Sequence, residues 1–175
     1  MAQWIYERAT AYGSWDVEIA DLAEINLPFM DEPSHPRLRQ YTHEHTKAWS
    51  ERVAHADALL FVTPEYNFGF SAPLKNALDY LFNEWQYKPV AFVSYGGVSG
   101  GVRAVQMLKQ VVTTLKMVPL YESVQIPFVQ QYFDDSRAFH PSEAAEQAAH
   151  DMLVELSRWT KALQPLRAGS GASES

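Results

Sequence analysis

The chain has 175 residues, of which 47% are hydrophobic and 20% are charged, as is typical of one globular domain with a real core. Its net charge of −7 argues against nucleic acid or an anionic membrane as the main partner, because both need a basic face. The chain has no cysteine for a disulfide or a thiolate nucleophile and no apolar run of about 20 residues, so we expect a cytoplasmic protein.

From the N-terminus, the sequence first predicts a helix and then a strand. Apolar residues recur at helical spacing from Met1 to Tyr12, and Gly13-Ser14 would end that helix. The alternating stretch WDVEIADL, residues 15–22, suggests a strand. A loop with three prolines follows, and a stripe of apolar residues then predicts a helix over residues 37–55.

Two continuous apolar runs, ADALLFVT and KPVAFVSY, predict strands that are buried on both faces, as in a parallel sheet. A helix over residues 72–82 follows the first run, and a glycine-rich loop and the helix VRAVQMLKQVVTTLK follow the second. A third strand is predicted within MVPLYESVQIP, and Ser142 is a suitable cap for a long last helix. We expect residues 164–175 to form a disordered tail after a single domain over residues 1–163.

The alternation of strands and helices predicts an α/β fold, in which a doubly wound parallel sheet lies between two layers of helices. In such folds, ligands bind beyond the carboxyl ends of the strands, in the loops that lead into helices. The loops over residues 64–71 and 95–101 each follow a buried strand, and each has an unusual composition. These two loops are therefore the predicted ligand-binding site.

The first of the two loops contains the stretch PEYNFGF. Pro64 would end the strand because it has no backbone N–H, and Gly69 permits a tight turn. Tyr66 and Phe68 offer flat apolar faces beside backbone N–H groups, so a flat heterocycle with acceptors along one edge is a natural ligand. The alternative is a packed turn whose aromatic rings only cover the edge of the sheet.

The second loop has four glycines within residues 95–101 and leads directly into a helix. Glycine lets the backbone approach a ligand closely, and a helix N-terminus favours an electron-rich group. The loop is neither GxGxxG nor a nucleotide P-loop, which needs a lysine. Residues 97–101, Gly-Val-Ser-Gly-Gly, also fit the G-x-S-x-G spacing, and His140 follows later, so a serine hydrolase that uses Ser99 stays open.

Other clusters of polar residues do not indicate a catalytic or metal site. His43 and His45 are two residues apart, and on the predicted helix they would face away from each other, so they could not chelate one ion. Lys75 and Asp79 are four apart on a helix, which favours an ion pair over a catalytic dyad. We therefore assign no catalytic side chain and no metal ligand.

The stretch TPEYNFGFSAPLKNALDYL resembles the signature of the NADPH-dependent FMN reductase family, which has a flavodoxin-like fold. That family typically reads Thr-Pro-Glu-Tyr-Asn, a short variable turn, and then Pro-x-Leu-Lys-Asn-Ala-x-Asp. The match covers residues 63–79, and the glycine loop also matches in position and type. The resemblance extends over essentially the whole chain, from Met1 to about Leu163.

The resemblance implies FMN and NAD(P)H as cofactors, with hydride passing from NAD(P)H to the flavin and electrons on to a quinone, azo dye, flavin or metal oxyanion. It also implies a homodimer or homotetramer. Hydride transfer needs no dedicated acid or base, so the protein would position and tune the flavin. By the match to the family pattern, the residues expected to line the flavin ring are Pro64, Glu65, Tyr66, Asn67, Phe68, Tyr95, Gly96, Gly97, Val98, Ser99 and Gly100.

The family pattern begins with a strand and a loop resembling Gly-Ser-x-Arg, which grips the FMN phosphate. We expect this chain to be without both, because Met1 already falls in the helix that should follow that loop. In the flavodoxin-like strand order, 2-1-3-4-5, the missing strand is the central one. A second class of function therefore stays open, a flavin-poor binding or oligomerisation module that keeps the fold but not the chemistry.

Overall fold

A computed structural model of the protein describes residues 1–13 and 15–169. Its helices are α1 (Ala2–Ala11), α2 (Leu22–Ile25), α3 (Glu44–His55), α4 (Ala72–Asp79), α5 (Val102–Thr114) and α6 (Glu143–Gly169). Its strands are β1 (Leu59–Pro64), β2 (Pro89–Tyr95) and β3 (Val118–Ile126). Short 3₁₀ helices lie between these elements, at Pro36–Leu38, Asn83–Trp85 and Val129–Tyr132.

Within the described residues, the strands form one parallel sheet in the order β1-β2-β3. The register places Leu59 opposite Val90 and Pro64 opposite Tyr95, so β1 and β2 end side by side. β2 is buried along nearly its whole length, which explains why its sequence is an unbroken apolar run. The parallel sheet predicted from the sequence is confirmed.

Helices cover both faces of this sheet and form two separate hydrophobic cores. On one face, α1 and α6 pack against Ala91 and Val93 of β2 and against strand β3. On the other face, α3, α4 and α5 pack against Val90 and Phe92. Successive residues of β2 therefore alternate between the two cores. The resulting three-layer α/β/α arrangement is the predicted one.

The strand predicted over residues 15–22 is not formed. Residues 16–20 have no regular structure, and Arg52 of α3 binds the carboxylate of Glu18 and the carbonyl of Ile19. A strand needs a neighbouring strand to pair its backbone groups, and within the described residues none lies beside this segment. The alternation of apolar residues was therefore a misleading signal here.

Helix α3 begins later than predicted, at Glu44 rather than at residue 37. The segment before it instead forms the 3₁₀ helix Pro36–Leu38, which ends at Arg39 in the left-handed conformation. The carboxylate of Glu32 then accepts hydrogen bonds from backbone N–H groups just before α3 and fixes the start of that helix. The first helix, α1, ends two residues before Gly13 as predicted, and Ser14 lies outside the described residues.

The last helix, α6, starts as predicted but ends later. Ser142 Oγ accepts a backbone N–H of its first turn, as expected of a cap. The helix continues to Gly169, so residues 164–169 are helical, although they were predicted to belong to a disordered tail. Arg167 stabilises this extension by donating to a backbone carbonyl just before β2, and residues 170–175 of the predicted tail lie outside the described residues. Neither α6 nor any other described helix is long and apolar enough to cross a membrane.

Candidate functional site

The turn after β1 folds back on itself at the carboxyl edge of the sheet. Tyr66 and Gly69 exchange two backbone hydrogen bonds, of 2.9 and 2.8 Å, and Asn67 and Phe68 form the corner between them. Both corner residues have positive φ, 49° for Asn67 and 73° for Phe68, as in a type I′ turn. The side chains of Tyr66 and Phe68 stay accessible, at 68% and 61% of their full exposure. The turn therefore presents two aromatic rings to solvent.

Glu65 precedes this corner, and its side chain points away from solvent. Its carboxylate accepts the backbone N–H of Arg103 at 3.1 Å and that of Ala104 at 3.4 Å, both in the first turn of α5. The Nε of the Arg103 guanidinium donates to the same carboxylate at 2.6 Å. The side chain of Glu65 is only 5% exposed. Its carboxylate is therefore committed to α5 and is not available to a ligand.

The charge of Glu65 is stabilised where it lies. Burial by itself would raise the pKa of Glu65, but hydrogen bonds from Arg103 and Ser99 outweigh burial and hold that pKa below its usual value. The positive end of the α5 dipole also favours a carboxylate at this place. The electron-rich group that the sequence led us to expect at this helix N-terminus is thus supplied by the protein itself.

Arg103 is a residue of the site that sequence reasoning missed. Its guanidinium carbon lies 3.9 Å from the centre of the Phe68 ring, so the same side chain binds Glu65 and stacks on Phe68. The sequence contained one signal for Arg103, its position in the first turn of a predicted helix. A cation there is unfavourable because it opposes the helix dipole. A side chain at such a position indicates a specific partner, here Glu65.

The glycine loop after β2 is tightly constrained next to α5 and open near its middle. Gly101 has a φ of 86°, and a Cβ there would lie 2.6 Å from the Cβ of Ser94. At Gly97, by contrast, a Cβ would meet nothing within 4 Å, and the neighbouring Val98 side chain is exposed. Only the first of these two glycines is therefore required by the fold.

The segment after β3 closes the glycine loop from the other side. Phe128 and Val129 donate their backbone N–H groups to the carbonyls of Gly97 and Gly96, at 2.9 and 3.2 Å. Gly100 lies against the same segment, and a Cβ there would come within 3.0 Å of the Pro127 nitrogen. These contacts fix the carbonyls of Gly96 and Gly97, and the Gly96 N–H is also bonded, to the carbonyl of Ile126 at 3.3 Å.

The two predicted loops lie in contact because β1 and β2 are neighbours. The N–H of Glu65 donates to the carbonyl of Tyr95 at 2.9 Å, and a Cβ at Gly96 would lie 3.5 Å from the Cβ of Glu65. Tyr95 is half-buried at this junction, and burial, with a smaller contribution from Tyr66, raises its pKa. The structure therefore brings all the predicted lining residues, from Pro64 to Phe68 and from Tyr95 to Gly100, to one edge of the sheet.

The model of the family described as NADPH-dependent FMN reductase matches residues 1–131 of this chain. The chain belongs to that family. An NAD(P)H-dependent FMN reductase of Schizosaccharomyces pombe is 45% identical over 131 residues, which cover 73% of this chain and 65% of that protein. An NADPH:quinone oxidoreductase of Arabidopsis thaliana is 38% identical over 98 residues, which cover 54% of this chain and 46% of that protein. The chain thus spans at most about two thirds of the length of these curated relatives.

The fold of this FMN reductase family member is also found among solved structures. The flavoenzyme NAD(P)H:(acceptor) oxidoreductase FerB of Paracoccus denitrificans superposes with a TM-score of 0.71, over 91% of this chain and 88% of that one. The two sequences are 21% identical, so the likeness is one of fold. It supports the flavodoxin-like architecture that the sequence predicts.

The donors and faces at the edge of the sheet fit a flavin ring. Within the described residues, the N–H groups of Gly97 and Val98 make no hydrogen bond, and neither do those of Asn67 and Phe68. A flavin ring carries carbonyl and ring-nitrogen acceptors along one edge and is otherwise a flat apolar surface. Free N–H groups beside the accessible ring of Tyr66 match both features.

The hydrolase alternative gains no support from the arrangement around Ser99. Ser99 contacts Glu65 and accepts the N–H of Gly101 at 3.4 Å. His140 instead pairs with Asp134, at 2.7 Å between Nε2 and Oδ2, on the loop after β3. Among the described residues, no histidine is hydrogen-bonded to Ser99. Ser99 therefore has no general base in contact with it.

The histidine pair behaves differently from the prediction. Because α3 starts at Glu44, His43 lies outside the helix, and the rings of His43 and His45 stack with centroids 5.2 Å apart and planes at 9°. The prediction that the two rings face apart was wrong.

In the described part of the chain, no group of three or more acidic or histidine side chains is placed to hold a metal ion. Lys75 and Asp79 form the predicted ion pair, at 2.6 Å.

Proposed function

We propose that the protein is an FMN-dependent NAD(P)H oxidoreductase that passes electrons to a small-molecule acceptor. The observation that carries the proposal is the contact between two loops that present free N–H groups beside exposed aromatic rings. When bound, FMN would supply the hydride and electron-transfer chemistry. The names of the relatives, FMN reductase and quinone oxidoreductase, support this reading of the site.

The chain's own contribution is binding and orientation. The N–H groups of Gly97 and Val98 would bind acceptor atoms on the edge of the ring, and Tyr66 would pack against its face. The ion pair between Glu65 and Arg103 holds the two loops at a fixed separation, so these donors are in place before a ligand arrives. No side chain has to gain or lose a proton for hydride to move.

The proposed oxidoreductase function also implies certain partners and a location in the cell. We propose a quinone as the main acceptor class, with azo compounds, free flavin and metal oxyanions as further candidates. A homodimer or homotetramer is expected because large apolar side chains are exposed around the site. The net charge of −7 disfavours nucleic acid and anionic membranes as partners, and the lack of cysteine fits the reducing cytoplasm.

A flavin titration tests the proposal. Purified protein is titrated with FMN while flavin fluorescence is followed, and the loaded protein is then assayed for NADPH oxidation with a naphthoquinone. We expect saturable binding and quinone-dependent oxidation. A folded protein that takes up no FMN and oxidises no NADPH with any acceptor would overturn the proposal in favour of a flavin-poor module.

The variant Gly97→Val separates the flavin site from the fold. A Cβ at this position meets nothing within 4 Å, so we expect the urea midpoint to change little. It would, however, stand where the ring edge is proposed to approach the loop, and we expect the FMN dissociation constant to rise at least about tenfold. An unchanged dissociation constant would remove the glycine loop from the proposed site.

A further inference from the structure

Phe68 has a backbone conformation that its residue type disfavours. It is the second corner residue of a type I′ turn, with a φ of 73°, and glycine is the residue preferred at that corner after asparagine. A bulky residue at positive φ is an outlier and persists where its surroundings hold it. Glycine would make the same turn and leave the same backbone N–H groups in place. The turn therefore does not need the Phe68 ring.

The ring is nevertheless held firmly. The Arg103 guanidinium stacks on it at 3.9 Å, and that guanidinium is itself fixed by the buried carboxylate of Glu65. One face of the ring is thus backed by a flat cation, while the side chain as a whole remains 61% exposed. The result is a rigid aromatic surface with one face open to a ligand. A ring held in this way loses little conformational entropy when a second flat group stacks on it.

The ring stands among other exposed apolar groups at the same edge of the sheet. Tyr66 belongs to the same turn, and Val98 belongs to the glycine loop. Phe128 follows β3, also has a positive φ, 48°, and is anchored by its N–H to Gly97. Three loops thus present apolar side chains around the place where an acceptor would have to approach the flavin. Flat aromatic molecules can stack on such a surface, whereas inorganic anions have no flat ring with which to do so.

We propose that Phe68, backed by Arg103, determines the specificity for the electron acceptor by stacking on flat quinone-type rings. The inference rests on the proposed function and deepens it, because it names the residue that selects the quinone class of acceptor. The reaction balances as NAD(P)H, one proton and a quinone giving NAD(P)⁺ and the hydroquinone. Phe68 and Arg103 take no part in the bond changes, and their contribution is the binding of the quinone.

The variant Phe68→Gly tests the inference because it removes the ring and suits the turn. The protein is loaded with FMN and assayed with NADPH and either a naphthoquinone or ferricyanide, which has no flat ring. We expect the KM for the quinone, divided by that for ferricyanide, to rise about tenfold, as lost ring stacking predicts. Phe68→Trp keeps a flat ring and should leave the ratio near that of the wild type. Arg103→Lys keeps the charge but not the flat stack, and should raise the ratio by less than Phe68→Gly does.

Three further measurements make the result specific. Tyr121→Ala removes a ring that is 89% exposed on β3, outside the loops, and should leave the ratio unchanged. The urea midpoint of Phe68→Gly without FMN should be at least that of the wild type, because glycine suits a φ of 73°. The FMN dissociation constant shows whether the ring serves the cofactor instead.

The outcomes separate the two proposals. A ratio that stays constant, with or without a change in the FMN dissociation constant, overturns the role of Phe68 in acceptor choice and leaves the proposed function standing. A ratio in Phe68→Trp that is as high as in Phe68→Gly also overturns the role of Phe68, because stacking would then not be the cause. A wild-type protein that binds no FMN overturns the proposed function and this inference together.

Discussion

Glu65 and Arg103 join the two loops of the site through one ion pair. The Glu65 carboxylate accepts the backbone N–H of Arg103 at 3.1 Å and the Nε of its guanidinium at 2.6 Å. These residues are 38 positions apart, one after β1 and one in the first turn of α5. The pair therefore connects the turn around Tyr66 to the helix that follows the glycine loop, and neither loop can shift without breaking it.

Removal of the negative charge at Glu65 should destabilise the fold. Glu65→Gln keeps the shape but leaves Arg103 without a counter-charge and weakens the cap of α5. Breaking a fully buried pair costs about 3–5 kcal/mol, and because Arg103 is 41% exposed we expect about 2 kcal/mol at neutral pH. Urea unfolding followed by far-ultraviolet circular dichroism measures the loss.

The exposed pair between Lys75 and Asp79 provides the matched control. Both side chains are nearly half exposed, so Asp79→Asn should cost about 0.5 kcal/mol or less. Equal losses in Glu65→Gln and Asp79→Asn would show that the Glu65 pair is only another surface contact.

Replacement by alanine should be costly at one glycine of the second loop and nearly neutral at another. At Gly101, with a φ of 86°, a Cβ would lie 2.6 Å from the Cβ of Ser94 and 2.8 Å from the nitrogen of Tyr95. Left-handed strain and the clash together predict a loss of about 3 kcal/mol in Gly101→Ala. Gly97→Ala meets no atom and should stay within about 0.5 kcal/mol of the wild type. Urea midpoints of the two variants are compared, and a similar shift in both would contradict the assigned packing.

The sequence was sufficient wherever a local pattern decided the outcome. The apolar run of β2 predicted a strand buried on both faces, because each of its residues faces one core or the other. The positions of the two site loops then followed from the rule that ligands bind at the carboxyl edge of a parallel sheet. The start of α3 was decided instead by Glu32, which lies twelve residues before it and leaves no periodic signal.

The orientation of the site's side chains could not be predicted in the same way. Glu65 was expected to line the flavin ring, but the sequence did not indicate that its carboxylate binds α5, where a helix N-terminus and a guanidinium both lie within its reach. That contact depends on how β1 and α5 pack, and no spacing within the sequence reports it. The positive φ of Phe68 was hidden for a related reason, because sequence rules place glycine at that corner.

We expect Asn76 to help fix the loop before the 3₁₀ helix Pro36–Leu38, a loop that the hydroxyl of Tyr80 also binds. Its amide donates to the carbonyl of Pro28 at 2.7 Å and accepts the N–H of Met30 at 3.1 Å, much as a neighbouring strand would. Asn76→Ala removes both bonds at a surface that water can reach, so we expect a loss of about 1 kcal/mol. Hydrogen exchange at the Met30 amide should become faster. Lys75→Ala, on the same helix, should leave that exchange unchanged, and protection of Met30 in both variants would contradict the role of Asn76.

We expect Glu32 to stabilise the fold at neutral pH and to lose this effect in acid. Burial by itself would raise the pKa of Glu32, but hydrogen bonds from Thr42 and His43 outweigh it and lower that pKa from 4.5 to about 2. Between these values the unfolded chain binds more protons than the folded one, so stability falls as the pH falls. The free energy lost in Glu32→Gln should therefore be constant well above pH 4.5 and shrink toward pH 2.

Urea unfolding of the wild type and of Glu32→Gln at a series of pH values measures this difference. Thr42→Val serves as the graded control, because it removes only the hydroxyl bond of 2.9 Å and leaves the two backbone bonds to the carboxylate. It should show a smaller difference over the same pH range. A difference in stability between Glu32→Gln and the wild type that does not change with pH would contradict this prediction. It would mean that the charge of Glu32 does not contribute to the start of α3.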